Sequence, residues 1–273
     1  MSSNFRGKVV IITGGSSGIG KACAEVFGKE GCRIIITGRT KESLNEASSE
    51  LNKMSIEHLA IQADSSLEED NKMVIDRAIE KYGQIDIFIA NAGISMRAMF
   101  NDLDLSVIKR VMDTNFYGAV YGIKYALPHI LKTKGSIVGV SSVAGFRGVP
   151  ARSGYSASKF ALQGFLEVLR TELLKTGVHV LIACPGFTSS NIRVTSLTKD
   201  GSPQGQSPLE EKNLMTSEEV AIKILNAVKK RKIFSIMSPK DRLTVFLNKL
   251  FPSFMDKMVY NHMAKEEGAP FGK

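Results

Sequence analysis

Short apolar runs alternate with longer segments of helical period, and that alternation restricts this chain more than any other feature. The first run, Lys8-Val-Val-Ile-Ile-Thr13, is β-branched through its centre, as a strand buried on both faces must be. Comparable runs fall at 33–37, 57–63, 85–90, 136–141, 179–184 and 233–237. Helical patterns lie between them at 18–30, 41–53, 66–82, 104–131, 153–176 and 217–231. Ser65-Ser-Leu-Glu-Glu69 reads as capping chemistry for one helix, and Thr216-Ser-Glu-Glu219 as a capping box for another. The order predicts an α/β fold: a mostly parallel, seven-stranded, doubly wound sheet between two helical layers. In such sheets ligands bind beyond the carboxyl ends of the strands, so chemistry is expected in the loops that follow them.

The 273 residues suit one large domain, with a core at about 7–237, a lid loop at 187–215 and a C-terminal extension at 239–273. The start, Met1-Ser-Ser-Asn-Phe-Arg6, lacks the regions of a signal peptide, and no apolar run reaches the roughly eighteen residues a membrane span needs. Cys23, Cys32 and Cys184 are odd in number, lie in apolar settings and form no CxxC pair. They read as reduced core cysteines of a cytoplasmic protein. His58, His129, His179 and His262 lack ligand spacing, so no metal site is expected. The formal charge of +9 could indicate nucleic acid or an acidic membrane. Its densest run, Lys229-Lys-Arg-Lys232, closes a helix that opens with Glu218 and Glu219, which complements the helix dipole. No aromatic residues interleave with the bases, so nucleic-acid binding is not expected.

Between the first strand and first helix lies Thr13-Gly-Gly-Ser-Ser-Gly-Ile-Gly20. Gly14 permits a tight turn, Gly18 lets backbone approach a pyrophosphate, and Gly20 lets helix pack on sheet. The spacing is TGxxxGIG, and Tyr155-Ser-Ala-Ser-Lys159 supplies a YxxxK pair. Asp64, Asn91-Ala-Gly93, Asn115, Ser142 and Pro185-Gly186 follow in matching order. With these motifs the chain resembles the short-chain dehydrogenase/reductase family over about residues 7–237. Within that family it looks most like reductases related to 11β-hydroxysteroid dehydrogenase and the mammalian DHRS7-type proteins.

The resemblance implies a Rossmann-type fold and a nicotinamide dinucleotide held by Gly14, Ser16, Ser17, Gly18, Ile19 and Gly20. It implies further cofactor contacts from Asp64 and Ser65 to adenine, and from Asn91, Ala92, Gly93 and Ile94 to ribose and the sheet centre. Pro185, Gly186, Thr188 and Ser190 are implied at the carboxamide. Thr188 and Ser190 stand where the family more often has a branched aliphatic and a threonine, so that contact is shared between them. Asn91 also reads as a brace between strands. Gly38 replaces the acid that grips both ribose hydroxyls in NAD enzymes, and Arg39 follows it. A guanidinium there suits a 2′-phosphate, so NADP(H) is expected over NAD(H).

Residues four apart on a helix share a face, so Tyr155 and Lys159 are expected to point together toward the strand ends. An ammonium beside a phenol lowers its pKa and makes it usable as acid or base. By resemblance, Lys159 also binds ribose, Ser142 polarises the substrate oxygen, and Asn115 anchors a water that completes a proton relay. The expected reaction is hydride transfer between nicotinamide and a carbonyl or secondary alcohol. A hydroxysteroid or 3-oxoacyl-thioester reductase is a narrower version. A non-catalytic redox sensor is a different class, one that could dispense with Tyr155, Lys159 and Ser142.

Substrate specificity is expected from 94–100, 143–154 and 187–215, with Met96, Met99, Phe100 and Phe146 either lining an apolar pocket or packing core. Arg147 and Arg152 read as solvated or as contacts for an acidic substrate. The family forms homodimers or homotetramers through helices near 104–131 and 153–176. The tail carries Leu243, Phe246, Leu247, Leu250, Phe251, Phe254, Met255, Met258, Val259 and Met263 at three- and four-residue steps, an amphipathic stripe. Pro252 should break it into two helices. The stripe could cover the substrate mouth, pack as core, or make peripheral membrane contact.

Overall fold

A computed structural model describes residues 5–207, 214–266 and 268–271. Its seven strands are β1 (Val9–Ile12), β2 (Arg33–Gly38), β3 (His58–Gln62), β4 (Ile87–Ala90), β5 (Ser136–Val140), β6 (His179–Cys184) and β7 (Phe234–Ile236). They form one sheet in the order β3-β2-β1-β4-β5-β6-β7, and all six pairings are parallel. The helices are α1 (Gly18–Lys29), α2 (Lys41–Lys53), α3 (Glu68–Tyr82), α4 (Leu105–Met112), α5 (Gly118–Thr133), α6 (Ser153–Glu172), α7 (Ser217–Lys229), α8 (Pro239–Leu250) and α9 (Pro252–Met263).

Successive strand residues face opposite sides, and both sides are covered, which explains the unbroken β-branched runs. Val10 and Ile12 join a core with Phe27, Leu44 and Ile224, whereas Val9 and Ile11 join a second with Ile75, Ile123 and Leu166. The strand order reverses between β1 and β4, and the loops leaving their carboxyl ends meet there.

The Thr216 capping box forms as expected, with Thr216 Oγ1 accepting from Glu219 N–H and Glu219 Oε2 accepting from Thr216 N–H. The turn before α3 differs. Asp64 Oδ1 accepts from the amide and hydroxyl of Ser66, and Asp70 reaches back to the Asp64 amide, so carboxylates satisfy the groups assigned to the serines. Pro252 does divide the tail, into α8 and α9. No helix among the described residues is long and apolar enough to cross a membrane. Cys23, Cys32 and Cys184 are free and buried, and burial pushes each thiol up to about 12.

Candidate active site

The loop after β1 turns on Gly14, whose φ of +64° suits glycine; a Cβ there would lie 3.0 Å from the Ala92 Cα. Gly20 packs behind it, and a side chain there would collide with the Gly14 carbonyl. The loop is braced from β4: Asn91 Nδ2 donates to the Thr13 carbonyl at 2.9 Å, and Thr13 Oγ1 accepts from the amides of Asn91 and Ala92 at 3.0 Å. Asn91 therefore has the bracing role expected of it, with Thr13 as an unforeseen partner. At the start of α1 the Ser17 side chain makes no capping bond and the first turn carries no acid. The first amides of α1 are thus left for an anion, which is what a pyrophosphate requires.

From this loop a continuous cleft of about 1410 Å³ runs across the carboxyl ends of the strands. Its walls include Gly14, Ser16, Ser17, Gly18, Ile19, Arg39, Asp64, Ser65, Asn91, Ala92, Gly93, Ile94, Pro185, Gly186, Thr188 and Ser190. It also takes in Ser142, Tyr155 and Lys159. Gly20 and Asn115 stand behind the wall. The volume exceeds the ~300–1,000 Å³ of a single small-molecule pocket, and so accommodates a dinucleotide with a second ligand. Thr40 and Ser43 line the same end as Arg39 and were not foreseen. Ser43 lies in the first turn of α2, whose N-cap Thr40 directly follows Arg39.

Tyr155 and Lys159 lie on one face of α6, with the lysine Nζ 5.6 Å from the phenol ring centroid. Lys159 is buried and donates to the Val140 carbonyl at 2.9 Å. Burial depresses its pKa to about 8, with Cys184 pulling weakly the other way. The expected lowering of the Tyr155 pKa is not found. Burial drives the phenol upward; the Ser142 hydrogen bond and the Arg152 charge offset only part of that rise.

Ser142 faces Tyr155 and accepts from the Ala144 amide at 3.2 Å. Gln163, one turn beyond Lys159, fixes this corner by donating to Ser141 Oγ at 2.9 Å and to the Ser142 carbonyl at 3.3 Å. Its i+4 spacing from Lys159 was the available signal. Asn115 lies in a single π-turn (113–117) between α4 and α5, a type of helix defect frequent at functional sites. Its amide donates to the Ile94 carbonyl and to Ser158 Oγ, both at 2.9 Å, and its Oδ1 accepts from the Ile94 amide at 2.8 Å. It thereby ties the β4 loop to α6.

Met96, Met99, Phe100 and Phe146 do not line the cleft. Met96 is fully buried among Ile94, Val107 and Leu197, and Phe146 packs near Phe234, whereas Phe100 is exposed. Apolar side chains in the cleft lining include Val149, Leu197, Met258, Val259 and Met263, and Arg147 and Arg152 line it as well. Arg147 and Arg152 are not solvated. Arg147 pairs with Asp256 at 2.6 Å and donates to Asn248 Oδ1 at 3.2 Å. Arg152 shares Glu266 with Arg97, at 3.5 and 3.4 Å, in a buried cluster. The described parts of the 187–215 loop are stitched to the body: Leu197 N–H donates to the Ser95 carbonyl and Arg97 N–H to the Leu197 carbonyl. Residues 208–213 of that predicted lid lie outside the described residues.

The family model "short chain dehydrogenase" matches residues 8–201. The chain belongs to the short-chain dehydrogenase family. Dehydrogenase/reductase SDR family member 7B of Xenopus tropicalis is 36% identical over 267 residues, 94% of this chain and 86% of that protein. 11-beta-hydroxysteroid dehydrogenase 1A of Arabidopsis thaliana is 37% identical over 193 residues, 70% of this chain and 55% of that protein. Among solved structures, a short-chain dehydrogenase/reductase from Burkholderia phymatum in complex with NAD superposes with TM-score 0.82 at 23% identity, covering 92% of this chain and 96% of that one. The alcohol dehydrogenase of Thermococcus sibiricus, complexed with 5-hydroxy-NADP, gives 0.72 at 22%, covering 81% and 90%. The short-chain dehydrogenase fold and its strand order are therefore those of this protein.

Proposed function

We propose that this short-chain dehydrogenase interconverts a carbonyl and a secondary alcohol, using NADP(H) in preference to NAD(H), with Tyr155 as general acid and base. The observation that carries the reading is convergence: Ser142, Tyr155 and Lys159 meet in the cleft that begins at the glycine loop. When bound, the nicotinamide supplies or accepts the hydride. Tyr155 gives its proton to the substrate oxygen in reduction and takes it back in oxidation. Ser142 orients that oxygen. Lys159 holds ribose hydroxyls and returns the proton to the phenol. Asn115 acts by positioning, since its side-chain amide is engaged with Ile94 and Ser158.

The cofactor preference rests on Arg39, Thr40, Ser43 and Ser16 lining one end of the cleft. A Cβ at Gly38 would lie 2.9 Å from Ser16 Oγ, so an acid there could grip a ribose diol only if Ser16 moved. Relatives of known cofactor include one bound to NAD and one to 5-hydroxy-NADP, so the preference stands on these residues. Val149, Met258 and Met263 in the cleft lining suit a small hydrophobic substrate. Homo-oligomerisation belongs to the same reading, with Tyr117, Phe160 and Val168 exposed on α5 and α6 or beside them.

The test is oxidation of NADPH and of NADH against simple ketones and aldehydes, 3-ketosteroids, 11-ketosteroids and 3-oxoacyl thioesters. Turnover favouring NADPH supports the proposal. Tight NADPH binding with no turnover on any class would replace it with the redox-sensor reading.

A further inference from the structure

The α8–α9 hairpin has two faces that do different things. Its inner face carries Met255, Val259 and Met263, which are buried or half-buried, with Val259 and Met263 lining the cleft. Its outer face does not pack. Leu243, Phe246 and Leu250 of α8 are 56%, 59% and 52% exposed. Phe251, Phe254 and Met258 are 56%, 59% and 40% exposed. Each triplet has i, i+3, i+7 spacing, so each forms a stripe, and the two stripes meet at the Leu250–Phe251 corner. A run of exposed large apolar side chains like this marks an interaction surface. It also overturns core packing as the purpose of those residues.

Charge indicates what covers the surface. Between Pro239 and Met263 the chain has four strong bases, Lys240, Arg242, Lys249 and Lys257, all exposed, and two acids, Asp241 and Asp256. Both acids are engaged internally: Asp241 accepts from Ser238 Oγ at 2.6 Å, and Asp256 pairs with Arg147 at 2.6 Å. Lys249 and Lys257 therefore stand beside the apolar stripes, whereas Lys240 lines the cleft and Arg242 Nε donates to the Ile236 carbonyl, on a chain of formal charge +9. A second copy of the same hairpin would set like charges against each other. An anionic lipid surface complements both the charge and the apolar stripes.

We propose that the outer face of α8–α9 docks on an anionic lipid bilayer, with Phe246, Phe251 and Phe254 entering the acyl boundary and Lys249 and Lys257 meeting headgroups. Met258 both lines the cleft and is exposed on this face, so docking places the mouth of the cleft beside the bilayer. The docking surface stands independently of the catalytic reading.

The experiment is co-sedimentation of the full chain with phosphatidylcholine vesicles containing or lacking phosphatidylserine, at low and high salt. Two variants accompany it: Phe246→Ser with Phe251→Ser and Phe254→Ser, and Lys249→Glu with Lys257→Glu. Thermal melting and size-exclusion chromatography check that each variant is folded. The proposal expects binding that needs phosphatidylserine, weakens with salt, and falls at least ten-fold in both variants. Failure of the wild-type chain to bind, or equal binding by folded variants, would overturn it. So would a wild-type dimer that the phenylalanine variant converts to a monomer without any vesicle binding, which would assign the face to a second copy.

Discussion

Lys159 Nζ donates to the Val140 carbonyl at 2.9 Å, which anchors a buried ammonium at the end of the central sheet. Its ordinary pKa of 10.5 is brought down to about 8, first by desolvation. Below about pH 8 both folded and unfolded chains carry the charge, and the folded state bears the full cost of burying it. Between 8 and 10.5 the unfolded chain keeps the proton while the folded chain releases it, so this contribution to stability rises with pH. Lys159→Met should therefore make the cofactor-free protein more stable at pH 7, by up to about 3 kcal/mol, with the gap from wild type closing toward pH 10. Urea denaturation of both proteins across that range measures it. A pH-independent difference would remove the lysine as the titrating group.

The proposed preference for NADP(H) rests on Arg39. Arg39→Ala should weaken NADPH by roughly ten-fold or more, since a charge-assisted hydrogen bond contributes about 1.5–3 kcal/mol, and should leave NADH nearly unchanged. Fluorescence titration with each cofactor distinguishes this from a general loss. Equal weakening of both would mean that Arg39 supports the loop without reading the phosphate.

Glu266 joins the C-terminal segment to the start of α6. One carboxylate serves Arg97 and Arg152, and all three side chains are largely buried. Removing one partner of such a group strands buried charge, at about 3–5 kcal/mol. Glu266→Leu should lower the thermal midpoint by roughly 6–20 °C for a domain of this size. Adding Arg152→Leu should recover part of that loss, as removal of both members of a pair does. Additive destabilisation by the two changes would mean that they do not act as a pair.

The strands were legible because both sheet faces are covered, which forces unbroken apolar runs such as Val9–Ile12. The cleft was legible because its glycine loop, Ser142, Tyr155 and Lys159 have fixed spacings tied to strand ends. Other features were not. Arg147 finds Asp256 and Arg152 finds Glu266 across separations of 109 and 114 residues, and no period in the sequence encodes that. Met96 and Phe146 lie in loops, where hydrophobicity states that a side chain is buried without stating which wall it faces. The Tyr155 pKa was misjudged because pairing with Lys159 was weighed without burial, which acts on both groups.

The central claim is that Tyr155 moves the proton in a carbonyl–alcohol interconversion, and it is tested most directly by steady-state turnover of Tyr155→Phe beside wild type with NADPH and the best carbonyl of the panel. Loss of a general acid–base group costs typically ~10²–10⁴ in rate. In Tyr155→Phe, kcat should fall within that range while the NADPH dissociation constant stays within a few-fold of wild type. Turnover near the wild-type rate, with cofactor bound as tightly, would contradict it.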